Sequence, residues 1–311
     1  VRALRFHRFG PPEVLRVDEV APPAAPAPGF ATVEVHAVGV NFADTESRRG
    51  LYLADRPLPR VSGFEGAGVV TACADAALVG RRVAFLAAGS AADACEVERA
   101  RLIALPDGLS FEEGAAFPVQ GLTAWHVLHG VARVRPGDVV CITAAAGGVG
   151  LLAVQLARRA GAHVIGVTSS PEKAEAARAA GADEVVRPDG LDALEGRIDV
   201  FLDSVGKDVF DAGWRMLRPF GRWVSFGTAS GAPPAFDAER LLERSLSVSG
   251  YWLRAPHPPE AWARGVDEVV GLLEARQLRL HRSALPLERA AEAHEALERR
   301  ASIGKWVLTL R

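Results

Sequence analysis

The spacing of apolar and polar positions divides the chain into three textures. From Val1 to about Phe117, short runs alternate inward and outward residues, as in Thr32-Val33-Glu34-Val35-His36-Ala37-Val38 and Gly68-Val69-Val70, with Gly and Pro clusters between them. A period of two predicts β-strands. The proline-rich stretch from Pro22 to Pro28 predicts an extended surface connection. From about Val119 to Gly250, apolar runs alternate with segments of helical period, which predicts an α/β arrangement. Its strands are predicted over residues 139–143, 164–168, 184–186, 200–203 and 223–227. Helices are predicted over 151–160 and 171–180, stopped by Gly161 and Gly181. From Tyr251 onward the pattern predicts helices near 259–275 and 287–299, then a strand over 305–310 that completes the sheet of the first part. No internal repeat is found.

The run Ala144-Ala145-Ala146-Gly147-Gly148-Val149-Gly150 stands between the first strand and the first helix of the middle part. Gly147 allows close approach of a pyrophosphate, and Gly150 allows the helix to pack tightly on the strand. The helix N-terminus then attracts phosphate through its open N–H groups and dipole. Ala145 replaces the first glycine of the G-x-G-x-x-G pattern, so the run alone reads equally as a small-residue turn. Its strand–turn–helix context favours a dinucleotide.

Composition narrows the class. At 311 residues and 49% hydrophobic, the chain can bury two cores. A net charge of -2 without a basic stripe gives no reason to expect nucleic acid. The segment Val1-Arg2-Ala3-Leu4-Arg5 has no apolar signal core, and no apolar run is long enough to span a bilayer; no membrane association and a cytoplasmic location are expected. Cys73, Cys95 and Cys141 are widely spaced, which argues against a disulfide framework, and three cysteines are too few for a four-thiolate zinc lobe. Cys141 reads as a small buried hydrophobe, and none of the three is a good nucleophile candidate.

Five motifs then occur in order: Ala37-Val38-Gly39-Val40-Asn41-Phe42-Ala43-Asp44-Thr45, Gly50-Leu51-Tyr52, Gly63-Phe64-Glu65-Gly66-Ala67-Gly68, the 144–150 run, and Asp203-Ser204-Val205-Gly206. Together they resemble the zinc-independent medium-chain dehydrogenase/reductases, the quinone oxidoreductase or zeta-crystallin-like group. The resemblance implies an α/β protein. A GroES-like β-rich catalytic domain would span residues 1–118 and 251–311, with a Rossmann doubly wound parallel-sheet domain inserted over 119–250. It also implies a homodimer or tetramer through the Rossmann sheet, with stretches 222–228 and 246–252 at the pairing edge. Zinc-dependent relatives place Cys where this chain has Asn41 and His where it has Phe64, so no zinc is expected.

The implied cofactor is NADPH. The end of the second Rossmann strand reads Val167-Thr168-Ser169-Ser170, with no carboxylate to repel a 2′-phosphate. The family places a lysine on that phosphate where this chain has Lys173, and Ser169 and Ser170 can donate beside it. Ser170-Pro171-Glu172 is also an ordinary helix start, and the two readings are compatible. Where family members often carry Tyr, this chain has Pro188 next to Arg187. The resemblance adds Thr123 near the nicotinamide ribose, Ala146, Gly147, Gly148 and Val149 at the pyrophosphate, and Ser204, Phe226 and Gly227 along the cofactor.

For the acceptor, Asn41 and Tyr52 match family positions flanking the nicotinamide. Tyr52 also matches a tyrosine of enoyl thioester reductases proposed to orient an enolate or supply its proton; its ring can alternatively serve the core. Gly250-Tyr251-Trp252-Leu253 resembles a Gly-Phe-Trp run that lines an acyl pocket, although aromatic residues at a strand end also serve packing. Glu46 stands where bacterial quinone reductases often carry an aromatic, and a carboxylate stacks poorly on a quinone. The expectation is therefore hydride delivery to the conjugated C=C of an enoyl thioester or enone, with a quinone as the alternative. A third reading is a non-catalytic, crystallin-like NADPH-binding protein with possible RNA binding, against which the near-neutral charge and the retained Asn41, Asp44 and Tyr52 argue.

Overall fold

The computed structural model describes residues 1–310. They form two compact units, Val1–Val119 with the segment from Leu280 onward, and Gln120–Arg279. The expected return to the first unit after residue 250 is corrected here: residues 251–279 stay with the second unit. The cause is the helix Pro259–Glu274, whose face with Gly265, Val269, Leu272 and Leu273 is buried and whose Gly265 meets Trp125 and His126 of that unit. Trp125 Nε1 donates to Glu268 (2.7 Å), and Gly265 lies so near Trp125 that a side chain there would crowd the indole.

In the first unit, Phe30–Val40 is the central strand. Its even-spaced Ala31, Val33, Val35 and Ala37 are buried while Thr32, Glu34 and His36 are not, so the sequence alternation reappears as the two faces of a sheet. It pairs antiparallel with Glu65–Cys73, Ala94–Glu98 and Lys305–Thr309. The last strand of the chain thus enters the sheet of the first part, beside Arg282–Pro286. Arg2–Phe6, Leu15–Glu19 and Arg60–Val61 make a small separate sheet. The helix Phe42–Arg49 leaves the central strand directly and packs on the helix Ala290–Glu298. Buried Arg48 joins them through an ion pair with Glu298 and an Nε bond to His294 Nδ1 at 3.4 Å.

The second unit holds six strands that pair in parallel throughout. Numbered along the chain, Val139–Ile142, His163–Val167, Glu184–Val186, Ile198–Asp203, Leu217–Ser225 and Ser247–Gly250 are the first to sixth, and they lie in the order 3-2-1-4-5-6. Val140, Cys141 and Ile142 are wholly buried, as expected of a strand covered on both faces. The order reverses between the first and fourth strands, and in such sheets ligands bind outside the carboxyl ends at that reversal. The fifth strand is flanked on both sides, so the expectation that 222–228 lies at the edge is corrected: on that side the edge strand is Ser247–Gly250, and the opposite edge is Glu184–Val186. No helix among the described residues is long and apolar enough to cross a membrane.

Candidate active site

The glycine run adopts the geometry its composition allows. The strand Val139–Ile142 ends, Ala144 takes a positive φ of 46°, and the helix Gly148–Arg159 begins after Gly147 in extended conformation. A Cβ on Gly150 would overlap the Ala144 carbonyl and the Ala145 backbone, and one on Gly148 would overlap the side-chain amide of Gln120. Gly147 meets only the Ala144 carbonyl oxygen at 3.2 Å, and as N-cap it offers no side chain to the first turn. The N–H groups of Gly148, Val149 and Gly150 therefore remain as a cradle for an anion. Gln120 was not singled out from the sequence; nothing local marks it, because its role comes from a helix that meets the turn from elsewhere in the chain. Thr123, on that same helix Pro118–Trp125, is 7% exposed.

Ser204, Phe226 and Gly227 converge at the carboxyl ends of the fourth and fifth strands. Asp203 Oδ1 accepts the N–H groups of Val205 (2.8 Å) and Gly206 (3.0 Å), fixing the turn after the fourth strand. Ser204 N–H donates to Thr143 Oγ1 at 2.9 Å, and Phe226 N–H donates to the Asp203 carbonyl at 2.9 Å. A Cβ on Gly227 would come 3.0 Å from the Ser204 carbonyl oxygen. At the end of the second strand, Lys173 Nζ lies 3.4 Å from Ser169 Oγ, and Arg187 donates to the Ser169 carbonyl at 3.3 Å. Ser170 caps the helix Pro171–Ala179 through the Lys173 N–H. Two cations thus meet at Ser169, next to the helix start capped by Ser170, and the exposed Arg187–Asp189 pair (3.4 Å) is of a kind that holds weakly.

Tyr251 and Trp252 follow the edge strand of the second unit. Tyr251 turns into a cluster with His126 (5.9 Å between rings) and His257 (5.6 Å), and its enclosed hydroxyl has no hydrogen-bond partner among the described residues. Burial raises the Tyr251 pKa and lowers that of His126 to about 4. Trp252 is 50% exposed.

In the first unit, Asn41 caps the helix Phe42–Arg49, and Asp44 reaches back to accept the Asn41 N–H at 2.7 Å. The other Asp44 oxygen accepts the Gly63 N–H at 3.1 Å. The Asn41 amide is fixed at both ends: Nδ2 donates to Glu65 Oε1 (2.7 Å), and Oδ1 accepts from Lys305 Nζ (2.7 Å). Lys305 also pairs with Glu65, whose second oxygen accepts the Val119 N–H at 2.7 Å. All four side chains are buried. Desolvation raises Asp44 to about 7 and lowers Lys305, against the opposing pull of each on the other. Lys305 was missed in the sequence reading. The available signal was a lysine two positions before Val307, on the inward parity of an apolar strand.

Tyr52 is half-buried, and its ring meets Phe64 edge-on at 5.6 Å. Glu46 is half-buried, and desolvation raises its pKa. These residues do not fit a zinc ion: the Asn41 amide is committed to Glu65 and Lys305, and Phe64 offers no donor. Among the described residues no group of three or more His, Cys, Asp or Glu side chains is placed to hold a metal. Cys95 and Cys141 are buried, which pushes both thiols up to about 12, so neither is a thiolate near neutrality.

Two family descriptions match the sequence, an alcohol dehydrogenase GroES-like domain over residues 27–128 and a zinc-binding dehydrogenase over 148–270. A quinone oxidoreductase of Pseudomonas aeruginosa is 36% identical, with 99% of each chain covered. A pikromycin polyketide synthase component of Streptomyces venezuelae is 35% identical over 94% of this chain, which spans 8% of that protein. The crystal structure of Escherichia coli quinone oxidoreductase complexed with NADPH superposes with a TM-score of 0.93 at 32% identity, covering 99% of this chain and all of the other. The motifs from Asn41 to Gly206 and the full-length similarity agree, and the chain belongs to the quinone oxidoreductase family.

Proposed function

We propose that this protein is an NADPH-dependent oxidoreductase that reduces a quinone. The observation that carries the cofactor choice is the meeting of Lys173 and Arg187 at Ser169, with no carboxylate at the end of the second strand. That arrangement suits a 2′-phosphate and lacks the acidic group that holds a ribose 2′-hydroxyl. NADPH in the Escherichia coli relative supports the same choice. The acceptor choice rests on the full-length relatives, which are named quinone oxidoreductases, whereas the polyketide synthase matches over 8% of its length. This reverses the order expected from sequence, where an enoyl thioester or enone came first.

When bound, NADPH supplies the hydride. The N–H groups of Gly148, Val149 and Gly150 would hold the pyrophosphate, while Lys173, Ser169 and Arg187 would hold the 2′-phosphate. Ser204, Phe226, Gly227 and Thr123 would line the remaining length of the cofactor. On the acceptor side, the Tyr52 hydroxyl donates a hydrogen bond to a quinone oxygen, which gains charge as hydride arrives. The Asn41 amide, clamped by Glu65 and Lys305, is a fixed polar group of the first unit. Tyr251 and Trp252 remain candidates for the acceptor wall of the second unit. The edge strand Ser247–Gly250 is the proposed pairing surface for a second copy, checked by light scattering across a wide concentration range.

The test is NADPH oxidation with simple quinones, enones and enoyl-CoA esters side by side, repeated with NADH. Quinone turnover with a preference for NADPH is expected. Turnover of an enoyl thioester with no quinone activity would overturn the acceptor assignment and favour the second reading, to which the polyketide synthase match points.

A further inference from the structure

The first unit contains a cavity of about 430 Å³ bordered by Asp44, Ser47, Arg56, Arg60, Phe64 and Gly89. It adjoins Tyr52, whose ring rests edge-on against Phe64. Its two guanidinium groups are both without an acidic partner among the described residues. Arg60 is 8% exposed; its Nε and Nη2 donate only to backbone carbonyls, those of Pro57 (3.3 Å), Ala54 (3.1 Å) and Arg56. Its Nη1 is enclosed with no hydrogen-bond partner, and its plane lies over the Phe9 ring at 5.2 Å. Arg56 is exposed, and its guanidinium makes neither an ion pair nor a hydrogen bond among the described residues.

A buried cation without a counter-ion is costly, and a second cation beside it adds repulsion. Burial first and Arg56 second lower the Arg60 pKa, with only the exposed Asp55 opposing them. Asp44 borders the same cavity, but both its oxygens already accept backbone N–H groups. An anion entering the cavity would relieve the cost at Arg60 and find a free fork at Arg56. The geometry points to an acceptor that carries an anionic substituent, a carboxylate, sulfonate or phosphate, seated on Arg56 and Arg60 with its ring beside Phe64 and Tyr52. This rests on the reading of the protein as a quinone reductase, and it narrows the substrate class within that reading.

Two measurements separate the pocket from the reaction. Binding of redox-inert naphthalene-2-sulfonate is followed by calorimetry in the wild type, Arg56→Ala and Arg56→Lys, with the uncharged 2-naphthamide as control. The sulfonate should bind the wild type more tightly than the amide does. Its affinity should fall about tenfold in Arg56→Ala, the loss of one charge-assisted contact, and be largely retained in Arg56→Lys. The second measurement is the ratio of kcat/KM for sulfonated over unsubstituted 1,4-naphthoquinone, which should fall by a similar factor in Arg56→Ala through KM. Equal affinity of the sulfonate for wild type and Arg56→Ala, or an unchanged ratio, overturns the anionic subsite. Sulfonate binding that depends on Arg56, in a protein that reduces neither quinone, supports the subsite and removes the quinone-reductase reading instead.

Discussion

At the start of the helix Gly148–Arg159 the groups offered to a ligand are backbone N–H donors, and all lie within one short run of sequence. Around Asn41 the groups are side chains, brought together from positions 41, 44, 65 and 305. The first arrangement depends on what is missing, since glycine leaves room and no cap competes. The second depends on what is present, since a buried ammonium, a buried carboxylate and an amide satisfy one another. Substitutions should therefore act differently in the two units. In the second unit they should change affinity for the cofactor, and in the first they should change stability before they change chemistry.

The largest effect tests that contrast directly. Lys305→Met leaves Glu65 as an unpaired carboxylate at 0% exposure, and breaking a buried pair in this way costs about 3–5 kcal/mol. Urea unfolding should show the loss, and Glu65→Gln added to Lys305→Met should restore part of it. A Lys305→Met protein as stable as the wild type would show that the network is not holding the first unit together.

A smaller effect concerns pH. The folded Asp44 pKa of about 7 lies above the ordinary aspartate value of 3.8, so the folded state binds the proton more tightly than the unfolded chain does. The resulting stabilisation is full below 3.8 and is lost as pH rises through about 7. His126 in the second unit works in the opposite sense. Its pKa is lowered from 6.5 to about 4, so its contribution is full above 6.5 and lost as pH falls through about 4. Asp44→Asn should remove the downward slope of stability between pH 4 and 7 relative to wild type, and equal slopes for the two proteins would contradict the burial argument.

The same contrast governs what could be read from sequence. The parallel sheet and the glycine turn were legible because their signals are local: Val139-Val140-Cys141-Ile142 is continuous and apolar, and the glycines follow at once. The closing strand was legible in kind, and the structure pairs Lys305–Thr309 with Phe30–Val40. The helix Pro259–Glu274 was found but assigned to the wrong unit, because its periodicity shows that a face is buried and not what covers it. Asn41 and Asp44 were marked by motif, yet Glu65 and Lys305 as their partners were not. That pairing depends on a strand reached only after the whole second unit has been traversed. Arg56 and Arg60 also escaped notice, since an arginine in a Pro-rich loop looks the same in sequence whether solvated or enclosed.

Among effects on catalysis, the cofactor end should respond more strongly than the acceptor end. Lys173→Ala should raise KM for NADPH about tenfold and leave that for NADH nearly unchanged, because the removed charge contacts only the extra phosphate. Steady-state kinetics with both cofactors decides it. Equal changes would mean that Lys173 serves only the helix Pro171–Ala179, whose start Ser170 caps through the Lys173 N–H.

The smallest expected change is at Tyr52. Its hydroxyl can donate to an oxygen that gains charge as hydride arrives. A reduced quinone carries that charge on oxygen, and water protonates oxygen rapidly. Tyr52→Phe should therefore lower kcat with a quinone by no more than about threefold, with the affinity for NADPH preserved. An enoyl thioester differs because its enolate must be protonated at carbon, where positioning matters, and there the loss should reach about one to two orders of magnitude. The ring–ring contact with Phe64 survives the substitution, so folding should not confuse the result. A large loss with quinones would mean that the Tyr52 hydroxyl is required for the transfer itself, and the side chains of the first unit would then act on chemistry as directly as the backbone of the second acts on binding.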